Sequence, residues 1–320
     1  MYNIDTELDL EPQEVWERWR TEVDKGQTPQ RIDKYLAEHM TGTSRNRIQN
    51  AADAGNIWVN GKPVSSNYKV KPFDIIQVLL DHEPHDYTIH PEEIPLEIIY
   101  EDDDVLVINK PAGMVVHPGH GNYEHTLLNA LAWHFRDKLD INDPNIGLVH
   151  RIDKDTSGLL LVAKTDKAHI SLAAQIKEHS LTRKYNALVH GHFKEAEGKV
   201  EGPIGRSPKD RKKMCINHDN GRDAVTHYKV LKEFEKYTLV ECRLETGRTH
   251  QIRVHMSSLG HPVACDPVYG VKKEPLTWDG QLLHAKTVGF IHPLSGEYME
   301  FSAPLPDYFE NILNKMKSRS

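Results

Sequence analysis

The chain has 320 residues, 38% of them apolar and 27% charged, which suits a soluble protein of two domains with sizeable cores. No apolar run approaches the roughly 18 residues that span a bilayer, and the acidic opening lacks the basic-then-apolar order of a secretory signal. Three widely spaced cysteines, Cys215, Cys242 and Cys265, argue against a disulfide scaffold or a cysteine zinc site and fit a reducing cytoplasm.

The net charge of −7 is unevenly spread: residues 1–24 sum to −6 and residues 81–104 to −10, which leaves +9 on the remainder. Local charge governs phosphate binding more than the total does, so a nucleic-acid partner stays open. In chain order, residues 1–27 read as a poorly packed acidic leader with one helix around Glu11–Val23. Residues 28–80 form a small helix-helix-β module. Ile32, Tyr35 and Leu36 give helical spacing over Arg31–His39, and Ser44 caps a second helix over Arg45–Ala54 that stops at Gly55. Ile57-Trp58-Val59 with Asn60-Gly61 predicts a hairpin, and Asp74–Leu80 a last strand. Residues 81–95, "DHEPHDYTIHPEEIP", read as a linker.

The second domain, 96–310, is dominated by strands, followed by a tail at 311–320. Strands are expected at Glu97–Ile99, Val105–Asn109, Gly147–Val149, Leu159–Ala163, Tyr185–His190, Thr226–Phe234, Tyr237–Leu244 and Val288–Ile291. Helices are expected at Thr126–Phe135, Lys167–Glu178 and His250–Ser258. Strands follow strands through short turns, so an α+β fold with a largely antiparallel or mixed sheet fits better than repeated βαβ units.

The loop "HRIDKDTSG", 150–158, crowds charge between two apolar strands. A metal site would need convergent ligands, and none of the His-rich strings has a zinc spacing. A Ser-His-Asp triad would want Ser157 on a nucleophile elbow, which is absent. An ion pair of Arg151 with Asp153 or Asp155 is the structural alternative. Taken whole, the loop resembles the catalytic loop of the pseudouridine synthases, the group that modifies uridines in ribosomal and transfer RNA. "NKPAGMVVHPGHG", "TRKYNALVHG", "GRSPKDRKKM", "TGRTHQIRVHM", "GHPVACDPVYG" and "LLHAKTVGFIHP" repeat the likeness in order over about residues 30–305. The most similar type acts on the ribosomal large subunit. The leading module resembles the S-four-like RNA-binding domain, with Arg45, Arg47 and Lys62 available to an RNA backbone. Two departures stand out: Phe73 before Asp74 and Cys265 before Asp266 occupy positions where the family has Gly. The second is expected to touch local packing rather than activity.

The resemblance implies an isomerase that needs no cofactor, because the base leaves the sugar, turns and rejoins without redox change. It makes Asp153 the essential carboxylate, kept ionised by Arg253, since a neighbouring cation favours the charged form. It makes Tyr185 the ring that stacks on a flipped uracil, with a hydroxyl that could help remove the carbon-5 proton. Arg151 would fill the gap left in the RNA. His150 would contact substrate, Arg248 and His250 would contact phosphate or support the loop, and Arg211, Lys212 and Lys213 would track phosphates. The expected partner is structured RNA, large-subunit ribosomal RNA before transfer RNA, with no membrane, and the protein is expected to be a monomer. The rival readings are a non-catalytic RNA-binding or ribosome-assembly factor and, more distantly, a nucleoside or glycoside hydrolase.

Overall fold

A computed structural model describes residues 16–40, 43–80, 88–118, 122–139, 141, 147–208, 210 and 213–319. The chain divides into two units between Tyr87 and Thr88. In the first, strand β1 (Trp16–Glu22) precedes helices α1 (Ile32–His39) and α2 (Arg45–Asp53), and β2 (Ile57–Val59), β3 (Lys62–Pro63) and β4 (Ile75–Leu80) follow. The sheet order is β1-β4-β2-β3. Ser44 caps α2 by accepting from the Arg47 amide. Asn60 and Gly61 both take positive φ, as a tight hairpin turn requires. Ile32, Leu36, Ile57 and Ile76 are wholly buried and fix the helices on the sheet, each contributing about 1.5–3 kcal/mol.

Two expectations change here. The helix around Glu11–Val23 is replaced over residues 16–22 by β1, which pairs antiparallel with β4 from Trp16↔Leu80 to Glu22↔Ile75. A strand edge with free backbone groups recruited this segment over its helical spacing. The Phe73-Asp74 departure keeps the left-handed turn: Phe73 has φ 67° and is 63% exposed. Asp74 behind it is buried and accepts from the Lys71 amide, the Tyr68 hydroxyl and the Asn60 side-chain amide.

The second unit runs β5 (Ile98–Glu101), β6 (Val105–Lys110), α3 (Leu127–Phe135), β7 (Gly147–Leu148), β8 (Ser157–Ala163), α4 (Asp166–Lys177), β9 (Thr182–His190) and β10 (Glu197–Glu201). There follow β11 (Ile204–Arg206), β12 (Met214–Ile216), β13 (Val225–Glu233), β14 (Tyr237–Leu244), α5 (Gln251–Ser258), β15 (Leu283–Ile291), β16 (Tyr298–Ser302) and α6 (Asp307–Asn314). The main sheet is ordered β10-β13-β14-β9-β15-β8-β6-β5, with β16 on β15 and β7 on β8. Its pairs are antiparallel except β8 with β15. The α+β fold with a largely antiparallel, mixed sheet is therefore the observed architecture.

All seven residues of β8 are buried because the sheet is covered on both faces at its centre. Leu160 and Val162 pack with α3 and with Tyr185 and Ile252, whereas Leu159 and Leu161 pack with Ala168 and Leu172 of α4. Gly158 is required where β8 meets β15, since a Cβ there would lie 2.3 Å from the Ala285 carbonyl oxygen.

The expected linker and tail also differ. Within 88–95, the Glu92 amide donates to the Asn129 carbonyl, and Asn129 Nδ2 donates to the His90 carbonyl, which ties this stretch to α3. Beyond residue 310, α6 continues to Asn314, and Ser318 forms a bridge with Phe234. The buried Phe309 anchors the helix. Among the described residues no helix is long and apolar enough to cross a membrane.

Candidate active site

The loop 150–156 joins β7 to β8 on the face of the sheet that carries α5. Asp153 lies at one wall of a cleft also lined by Arg151, Arg183, Tyr185, Arg248, His250 and Arg253. The Thr156 amide donates to the Asp153 carbonyl and Gln281 Nε2 donates to Thr156 Oγ1, so the loop ends in a fixed turn. Lys110, at the end of β6, is 1% exposed, and its ammonium donates to the carbonyls of Pro111, Met114 and Lys154 at 2.7–2.9 Å. Three donors meet three acceptors, and one of those acceptors belongs to the loop that carries Asp153. Burial holds the Lys110 ammonium down to about 7, against the pull of Asp155 and Asp153.

Arg253 is the third residue of α5 and is 4% exposed. Its NH1 donates to Asp153 Oδ2 at 3.0 Å, as the sequence led us to expect. The same guanidinium makes a second, two-pronged pair: Nε to Asp266 Oδ2 at 2.7 Å and NH2 to Asp266 Oδ1 at 2.9 Å. Burial opposes the charge on Arg253, and the hydrogen bonds and fields of Asp266 and then Asp153 outweigh it, so its pKa rises. Burial likewise pushes the Asp266 carboxyl up, but Arg253 and the amides of Tyr269 and Val268 bring it below its ordinary value.

This corrects the expectation for the turn at Cys265. Its successor, Asp266, orients the arginine that pairs with Asp153, so the turn bears on the site directly. Cys265 has φ 59°, a conformation that favours glycine, and its amide donates to Glu274 Oε2. The sequence signal for Asp266 was present, an acid inside a string that also carries the resemblance, but nothing in the string says which cation it meets.

Tyr185 lies on β9, 6% exposed, and shares the cleft with Asp153. Burial raises its pKa; Arg183 opposes this and Asp153 adds to it. Its ring and hydroxyl stand where they could meet a base that enters the cleft. Arg151 is exposed at the rim and makes no ion pair among the described residues, so the structural alternative of an Arg151–Asp153 or Arg151–Asp155 pair is not formed.

His150 differs from expectation. Its Nε2 accepts from the Leu161 amide, and burial followed by the Arg183 charge pushes its pKa down to about 3. It is a neutral acceptor that fastens the loop to β8, away from the cleft lining. His250 opens α5 in the left-handed conformation, with Nδ1 2.8 Å from the Tyr269 hydroxyl and Nε2 4.0 Å from Asp153 Oδ1. Burial lowers its pKa more than Asp153 raises it, so it faces Asp153 as a neutral ring. Arg248 Nε donates to the Asp223 carbonyl while the group still lines the cleft.

Lys213 is exposed beside β12, and Tyr269 ties that hairpin to the site by accepting from the Met214 amide and lying 5.2 Å from the Arg253 guanidinium. Arg211 and Lys212 lie outside the described residues. In the first unit, Arg45 donates to buried Asp33, which also takes Arg31 and Gln49. Arg45 is thus partly engaged as structure, whereas Arg47 is exposed with no ion pair among the described residues.

Comparison with known proteins agrees with this geometry. Residues 104–258 match the family described as RNA pseudouridylate synthase, and residues 30–76 match the S4 domain. The chain is 49% identical to "Uncharacterized RNA pseudouridine synthase YlyB" of Bacillus subtilis, over 91% of this chain and 95% of that one. It is 47% identical to "Ribosomal large subunit pseudouridine synthase D" of Zymomonas mobilis, over 89% and 93% of the two chains. Among solved structures, human RNA pseudouridylate synthase domain containing 1 aligns with TM-score 0.54 and 27% identity, covering 75% of this chain and all of that one.

Proposed function

We infer the roles of the cleft residues from one premise: this chain belongs to the RNA pseudouridine synthase family, and it is an isomerase acting on RNA. A uridine leaves its helix at a cost of a few kcal/mol, least from a loop or bulge, and enters the cleft between Tyr185 and Asp153. Asp153 attacks C1′ of the ribose, or takes the proton from C2′, as the bond from C1′ to N1 breaks. Glycosidases need a second carboxylate to activate water or protonate a departing group. Here the base stays bound and returns through C5, so one carboxylate suffices.

The observation that carries this reading is the 3.0 Å pair between Asp153 and a buried Arg253 that Asp266 holds from behind. Asp153 is the catalytic residue; Arg253 and Asp266 position it. Tyr185 stacks on the uracil, Arg151 enters the RNA from the rim, and Arg248 meets a phosphate. His150 and His250 support the loop and the carboxylate. The substrate is a uridine of large-subunit ribosomal RNA, a choice supported by the name of the Zymomonas relative. The S-four-like module, with Arg47 and Lys62, and the basic hairpin grip the surrounding RNA, and the protein acts as a monomer in the cytoplasm.

The test uses large-subunit ribosomal RNA carrying tritium at carbon-5 of uridine. Wild type should release tritium and Asp153→Asn should not. Equal release by both would end the assignment of Asp153, and no release from any ribosomal or transfer RNA would favour a binding factor.

A further inference from the structure

The cleft contains a second buried guanidinium whose charge the protein leaves unanswered. Arg183 stands two residues before Tyr185 on β9, and residues two apart on a strand share a face. Both line the cleft with Asp153. Arg183 is 4% exposed, yet among the described residues its one hydrogen bond runs from NH2 to the Glu245 carbonyl at 3.2 Å. Its Nε is buried without a partner, and no described carboxylate lies within ion-pair distance. Gly247 makes room for it: a Cβ at that position would stand 2.4 Å from Arg183 NH1.

Arg253, by contrast, is matched by two carboxylates. Burying an arginine charge with no counter-charge is costly, and such a site is complete only with an anion. A phosphodiester is one candidate, but Arg248, half-buried at the cleft, offers phosphate a more accessible cation. Arg183 lies deeper, beside the ring that meets the base.

The reaction itself supplies the other anion. When C1′–N1 breaks, the bonding electron pair goes to N1, and the uracil carries one negative charge shared with its carbonyl oxygens. Asp153 enters as a carboxylate and brings no proton to neutralise it. We propose that Arg183 binds the detached uracil as this anion and holds it in the cleft while it turns to present C5. The pair on the uracil then forms the C5–C1′ bond, and the sugar releases Asp153, or recovers its C2′ proton from it. C5 finally loses its proton and N1 gains one, so nothing is oxidised or reduced. A planar, delocalised guanidinium fits a planar, delocalised anion better than a point charge would. The proposal rests on Asp153 and Tyr185 having the roles given above.

Arg183→Gln and Arg183→Lys in the full chain, with tritiated large-subunit ribosomal RNA, test it. Single-turnover rate at saturating enzyme should fall roughly 100- to 1,000-fold for Gln, while RNA affinity stays within about twofold. Lys should recover part of that rate at the same affinity, which a purely structural role would not produce. If RNA affinity and its salt slope fall while the saturated rate holds, the ligand is a backbone phosphate and the proposal fails. An unchanged rate in either variant also overturns it. Should Gln prevent folding, Lys decides alone: a rate about tenfold down at constant affinity supports the uracil anion, and a wild-type rate refutes it. Tritium release by Asp153→Asn would signal failure of the underlying reading instead, because that outcome does not depend on Arg183.

Discussion

At Asp153 the decisive quantity is orientation. One carboxylate oxygen is pinned at 3.0 Å by Arg253 NH1, and Asp266 takes the remaining fork of the same guanidinium. Removing Asp266 leaves a buried cation that swings or is lost, so Asp266→Asn should lower the single-turnover rate at least as much as Arg253→Lys. It should also destabilise the fold by about 3–5 kcal/mol, the usual cost of breaking a buried pair. Tritium release and urea unfolding measure the two effects, and a wild-type rate in Asp266→Asn would remove it from the positioning set. Tyr185→Phe separates the ring from its hydroxyl. A stacking role predicts that Phe keeps most of the bond-breaking rate, whereas Tyr185→Ala loses it by 100-fold or more.

Single elements are shaped by where they must end. The turn 110–114 and the loop that carries Asp153 are joined by Lys110, whose ammonium donates to three carbonyls. Lys110→Met fills the space but strands three acceptors, so it should cost about 1–3 kcal/mol and slow catalysis through a loosened loop. Protease sensitivity of residues 111–118 and tritium release would show both. The left-handed Phe73 ahead of β4 is strained and exposed. Phe73→Gly relieves roughly 1–2 kcal/mol of backbone strain and gives back somewhat less in unfolded-chain entropy. The first unit should gain up to about 1 kcal/mol, read as slower amide exchange over Ile75–Val78. No gain would mean that the Phe ring contributes more than its exposure suggests.

For the whole molecule, buried neutral imidazoles set the acid limit. Burial pushes His284 down to about 4 and His150 down to about 3, from an ordinary 6.5. In the unfolded chain both bind protons more readily, so their contribution is complete above pH 6.5 and is lost as the pH falls toward those values. Stability should decline by up to about 1.4 kcal/mol per pH unit for each ring. Urea midpoints between pH 7 and 4 would show it, and His284→Phe should flatten the slope. A pH-independent midpoint would contradict the burial argument. Binding adds a second global property. If the 206–213 stretch tracks phosphates, replacing Arg211, Lys212 and Lys213 by Ala should weaken RNA binding and flatten its salt dependence; an unchanged salt slope would end that role.

What the sequence determined by itself was local or carried in ordered strings. The capped helix at Ser44, the Asn60-Gly61 hairpin, the near-continuous apolar runs that make β6 and β8 central strands, and the loop that presents Asp153 all rest on near-neighbour chemistry. Asp153 and Arg253 could be paired from the strings although 100 residues separate them. The tertiary structure alone decided which second carboxylate braces Arg253, that His150 faces inward, that residues 16–22 complete a sheet, and that Arg183 shares a buried face with Tyr185. Each depends on which surfaces become neighbours and how much water they exclude. Desolvation and long-range pairing are properties of the folded chain, and no short stretch of residues encodes them.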